Sequence, residues 1–137
     1  DYVSEIKNIM MELKKHVRFS VTVTGPAEIV KSYLMKGISK AGYSVGSTSE
    51  NASYILVGST DITRRGDMNM GPGLNLQVYN ATLDLEVQDT QSGDILGSMN
   101  FSANANEKTD EMASKSAVRA LGRNVEEQLG KRLMDIF

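Results

Sequence analysis

The sequence predicts an α+β two-layer sandwich: a mixed, mostly antiparallel sheet of about five strands with helices on one face, in the order α-β-α-β-β-β-β-α. Three stretches carry that reading. Along Tyr79, Ala81, Leu83, Leu85 and Val87 every second side chain is apolar, with Asn80, Thr82, Asp84, Glu86 and Gln88 between them, the period of a strand with one face on a core and one in water. Tyr54-Ile55-Leu56-Val57-Gly58 is a short unbroken apolar run, as expected of a central strand buried on both faces. Ala113, Ala117, Ala120, Leu121, Val125, Leu129, Leu133 and Ile136 recur at helical spacing and make one stripe.

Taken in order, Ile6, Ile9, Met10 and Leu13 repeat at three and four residues, so Ser4 to Lys15 is a short amphipathic helix, peripheral or a tether, ending in Lys14, Lys15 and His16. Val17, Phe19, Val21 and Val23 alternate with polar residues in a first strand closed by Gly25-Pro26. Proline tolerates a helix start and glycine a helix end, which bounds a second helix at Pro26 to Ala41, before Gly42. Gly37 inside it implies close packing on a neighbouring strand. Tyr43 to Gly46 is a short extended piece and Ser47 to Ser53 a polar loop. The central strand continues from Tyr54 to about Thr63, and Arg64 to Gly73, with three glycines and a proline, reads as a mobile loop.

Asp89 to Asp94 is a turn, because Asp and Ser side chains bond their own backbone and Gly93 accepts positive φ. Ile95, Gly97, Met99, Phe101 and Ala103 then mark the inward face of the returning strand. The last helix, capped by Thr109 or Asp110, would be roughly 40 Å long at about 1.5 Å per residue. On that length its end is expected to protrude, with Leu133, Ile136 and Phe137 reaching a partner.

At 137 residues the chain is expected to form one domain, residues 17–137 as the core and 1–15 as an appended helix. It has no cysteine and one histidine, which removes thiol chemistry, disulfides and the commoner metal sites; no cofactor or metal is expected. A net charge of -2 gives no global attraction for nucleic acid, and none is expected as a partner. Apolar runs are far shorter than the roughly 20 residues of a membrane span. Because the chain starts at Asp1 without a methionine, it reads as processed or excised, with any signal or lipid anchor removed.

No catalytic set emerges. His16 stands beside lysines with no carboxylate or nucleophile near it, and Asp84 and Glu86 are what any solvated strand face shows. The glycines of Gly66 to Gly73 lack the lysine and hydroxyl of a phosphate loop. Arg64, Arg65, Met68 and Met70 fit a protein-contact surface better, since thioethers adapt to varied partners. With Leu133 and Phe137 they are the candidate contact residues.

Ala52-Ser53-Tyr54-Ile55-Leu56-Val57-Gly58 resembles the "Ala-Asp-Tyr-hydrophobic-Val-Gly" strand of bacterial envelope accessory domains, such as the TolB amino-terminal domain and the lipoproteins CsgG and LpoB, with FlgT. Asp89, Ser92, Gly93, Ile95 and Leu96 match the turn of that group, and Gly37 to Tyr43 resembles its helix end. The likeness spans about Val17 to Leu133, and departs at Ser53, where aspartate is usual, and in the leading helix. It implies a non-enzymatic periplasmic or outer-membrane accessory domain that contacts other envelope proteins or itself, with membrane attachment only through a lipid anchor. The alternative is a small-ligand or nucleic-acid-binding module using the Arg64 to Leu74 loop and the polar sheet face.

Overall fold

The computed structural model describes residues 1–46 and 51–137, Lys15 by its backbone alone. Most of the loop expected at Ser47 to Ser53 therefore lies outside the described residues. The elements are α1 (Tyr2–His16), β1 (Arg18–Thr24), α2 (Val30–Lys40), β2 (Ser44–Gly46), β3 (Tyr54–Asn69), β4 (Asn75–Asp89), β5 (Ile95–Glu107) and α3 (Asp110–Ile136). They form the expected α+β arrangement, with a single five-stranded mixed sheet in the order β2-β1-β3-β4-β5. β1 runs parallel to both of its neighbours, and the β3-β4 and β4-β5 pairs are antiparallel.

The core lies between one sheet face and helices α2 and α3. Phe19, Leu56, Leu83, Leu85 and Val87 from the sheet meet Leu34, Ile38, Leu121, Val125, Leu129 and Leu133 from the helices, all almost fully buried. On the other face Ile55 and Val57 are only partly covered, so β3 is central in the sheet without being buried on both sides. The middle of that open face is polar, and Asn80 organises part of it by donating to Ser102 Oγ at 2.9 Å and Asn104 Oδ1 at 2.8 Å.

Helix α2 starts later than its sequence pattern. Pro26 to Ile29 form tight turns, Val30 N bonding Ala27 O and Lys31 N bonding Glu28 O. The entry is held instead by Thr60, whose hydroxyl donates to Thr24 O at 2.9 Å and accepts from Ala27 N at 3.1 Å. At the other end Gly42, with φ +94°, lets Tyr43 N reach back to Ile38 O, which closes the helix as expected. Gly37 marks an approach to α3 rather than to a strand: a methyl group placed on it would lie 3.2 Å from Leu129 Cβ.

Helix α3 does not overhang. It runs antiparallel to β5, from Ser116 donating to Glu107 at 3.1 Å, past Asn124 beside Ser102 O, to Ile136 packed on Gly97. A helix of 27 residues is about 40 Å long and a strand of 13 about 44 Å, so aligned along the strands it fits within the sheet. Leu133 is consequently fully buried, which removes it as a contact residue. Ile95, expected on the inward face, lies beyond a register shift at Val87/Gln88 and stays 58% exposed.

Candidate functional site

The segment read as a mobile loop is ordered sheet. β3 continues through Arg64 to Asn69 and pairs with Asn75 to Tyr79 of β4, leaving only Met70 to Leu74 as the turn. Sixteen residues from Tyr54 to Asn69 make a strand of roughly 50 Å. The sheet narrows along it: β1 pairs with β3 only as far as Ser59, and β5 pairs with β4 only as far as Gln77. Beyond those points the β3-β4 hairpin stands alone as an arm.

A bulge aims the arm's side chains. Arg64 pairs with Tyr79 and Gly66 with Val78, so Arg65 is the extra residue and Gly66 takes φ +130°. One inserted residue reverses which face each following side chain occupies. Met68 is thereby paired with Leu76 on the open face, beside Val78, and its sulfur lies 3.6 Å from Asn106 Nδ2. At the tip Asn69 Oδ1 accepts from Gly71 N at 3.0 Å and Met70 N bonds Leu74 O at 2.8 Å. Met68, Met70 and Leu74 are 41%, 56% and 39% exposed, an apolar surface at the arm end of the open face. Arg65 is exposed next to them.

Arg64 has a different position. Its guanidinium lies 2.6 Å from Gln77 Oε1 and 3.4 Å from Asp110 Oδ1, joining the base of the arm to the first turn of α3. Partial burial raises the Tyr79 hydroxyl above its ordinary pKa, and the neighbouring Asp110 adds to that shift. Arg64 therefore braces the arm, and Arg65 is the cation it presents outward.

Phe137 sits at the opposite end of the molecule. Its ring centroid is 4.8 Å from that of Tyr54 and 6.3 Å from that of Phe19, while half of the residue remains exposed. With Met10, Leu13, Lys14, Val17, Tyr43 and Tyr54 it lines an open, mainly apolar groove under the last turns of α1. Lys14 anchors that helix by donating to Ala41 O at 3.4 Å, with its ammonium 5.5 Å from the Tyr43 ring centre. The candidate contact residues thus divide between two ends: Arg64, Arg65, Met68 and Met70 at the arm, Phe137 at the groove.

Among the described residues no group of three or more His, Cys, Asp or Glu side chains is placed to hold a metal ion. His16 is exposed at the end of α1, and Asp84 and Glu86 stand exposed on the open face opposite Asn100 and Ser98. Among the described residues no helix is long and apolar enough to cross a membrane.

No family model matches the chain, and no curated protein matches it by sequence. Solved structures share its fold. A minor lipoprotein from Acinetobacter baumannii superposes with a TM-score of 0.57 at 12% identity, over 85% of this chain and 92% of that one. A protein from Xanthomonas campestris, of a family of unknown function, gives 0.55 at 13% identity over 88% and 87%. A candidate lipoprotein from Caulobacter crescentus gives 0.53 at 11% identity over 93% and 92%. The architecture is thus one that bacterial lipoproteins adopt, and at these identities the likeness is one of fold.

The sequence alone missed the arm, although Arg-Arg-Gly before alternating Met68, Met70, Leu74 and Leu76 is compatible with a glycine bulge followed by a hairpin.

Proposed function

We propose that the chain is a non-enzymatic accessory domain of the bacterial cell envelope, folding as one unit with α1 appended, that acts by protein contact in assembling or supporting an envelope complex. One observation carries this reading: the β3-β4 hairpin outruns the rest of the sheet and exposes Met68, Met70 and Leu74 beside Arg65. A lone two-stranded hairpin is marginal in water. Here it is braced from behind by Arg64, Gln77 and Asp110, so an exposed apolar tip is held in a fixed direction. Methionines suit such a surface because they repack against differently shaped partners. The fold shared with bacterial lipoproteins supports an envelope setting, with a lipid anchor rather than this chain's own helices supplying any attachment to a membrane.

A photo-crosslinking residue in place of Met70, used in living cells, is expected to yield discrete adducts with envelope proteins. The same residue in place of Ser39 on α2 is not. Identical adduct patterns from the two positions would remove the arm as the contact surface.

A further inference from the structure

The groove under the last turns of α1 gathers half of the chain's five tyrosines and three phenylalanines. Phe19, Tyr43, Tyr54 and Phe137 meet there with neighbouring ring centroids 4.8 to 6.3 Å apart. Phe19 is fully buried and packs against the other three, so these rings form one fixed wall. The facing wall is Met10 and Leu13 of α1, each more than half exposed. The lining holds one cation, Lys14, and no carboxylate, in a chain whose net charge is -2. Lys14 is half-buried and donates to Ala41 O at 3.4 Å, and among the described residues no carboxylate forms an ion pair with it.

We propose that this groove binds a medium-chain carboxylate, its chain between the aromatic wall and α1 and its charged end at Lys14. Three properties select that ligand. The first is size: the groove encloses about 290 Å³, room for about ten atoms at the roughly 30 Å³ that a water molecule occupies. A helix, about 10 Å across, does not fit. The second is polarity. Among the lining side chains only Lys14 and the two tyrosine hydroxyls are polar, so a sugar or a nucleotide would leave most of its polar groups unpaired. The third is charge, since a carboxylate gives Lys14 a charge-assisted hydrogen bond that a neutral or cationic chain does not. The α1 wall is held at its end, by Lys14 and by Ser44 N bonding Val17 O at 3.1 Å, so it is free to close on the chain. The inference goes beyond the contact role of the arm, which lies at the other end of the molecule, and does not depend on it.

Titration of the whole chain with decanoate, below its micelle concentration, is expected to shift the methyl resonance of Met10 and leave that of Met70 in place, with a Kd on the order of tens of micromolar. Decanol should bind about tenfold more weakly, and decyltrimethylammonium should not bind. Lys14→Met should bring decanoate down to the level of decanol and leave decanol itself unchanged. Phe137→Asp should abolish binding of both, while Ile9→Asp, on the exposed stripe of α1 outside the groove, should leave it intact. A Met10 resonance that decanoate does not move overturns the proposal, as does equal binding of the three ligands, or a loss in Ile9→Asp that Phe137→Asp does not share. So does a Lys14→Met variant in which decanol weakens as much as decanoate, which would give Lys14 a structural role alone. Sedimentation closes the last alternative: decanoate that acts by dissociating a dimer would assign the groove to a second copy of the chain.

Discussion

Helices α1 and α3 have the same kind of pattern and opposite fates. Both are capped, α1 by Asp1 accepting from Val3 N and α3 by Thr109 accepting from Met112 N. Both carry an apolar stripe. In α3 the stripe is fully buried except at Ala120 and Ile136, which are partly covered, and its small residues, Ala113, Ala117 and Gly122, let it lie close against the sheet and α2. In α1 every residue from Tyr2 to Leu13 is exposed, including Ile6, Ile9, Met10 and Leu13. The difference is one of place. The core face of the sheet is already covered by α2 and α3, and α1 joins β1 through Val17 alone, so it stays at the sheet end. An amphipathic pattern states that a helix has a face; it does not state what covers it.

The sharpest way to break this comparison is to truncate one residue in each stripe. Leu129→Ala in α3 should cost about 2–5 kcal/mol, by lost burial and the cavity left behind. Ile9→Ala in α1, 60% exposed, should stay within about 0.5 kcal/mol. Urea denaturation measures both, and equal losses would mean that α1 is packed in solution.

A smaller effect is expected where α3 meets α2. Gly37→Ala gains up to about 1 kcal/mol of helix propensity but places a methyl group 3.2 Å from Leu129 Cβ and Cδ2. Overpacking of this kind costs about 1–3 kcal/mol, so the variant should be less stable on balance. A raised Tm would show that the helices can separate without loss.

The smallest effect concerns the first turn of α3. Lys115 donates to Glu111 Oε1 at 2.9 Å and holds that exposed carboxyl below the ordinary glutamate value, first through the hydrogen bond and then through its charge. A lowered folded pKa stabilises above the unfolded pKa, and the contribution is lost as pH falls through the folded one. Glu111→Gln should therefore lower Tm slightly at neutral pH and leave it unchanged in acid. A deficit that persists at low pH would assign the effect to the helix start itself.

Most elements were legible because their signals are local. Alternation along Tyr79 to Val87, the Asp89 turn with Gly93 at φ +75° and the left-handed Gly42 each depend on a few neighbouring residues. Arg64 to Asn69 was not legible as strand. Its charges and glycine are the usual marks of a loop, yet cross-strand pairing with Asn75 to Tyr79 across the Met70–Leu74 turn overrides the preference of the individual residues. Leu133 and Phe137 were joined in sequence as one protruding end, and three-dimensional packing separated them into core and groove rim.

By itself the sequence determined the class of fold, the number and order of its elements and the wet and dry faces of β4, because periodicity and turn chemistry are set within a few residues. Only the tertiary structure decided that α3 lies along the strands, that the bulge at Arg65 turns Met68 to the open face, and that α3 brings Asn124 and Arg132 to the edge strand β5. Those outcomes depend on which segments pair across long distances, where register and the competition for one core face act and local pattern does not.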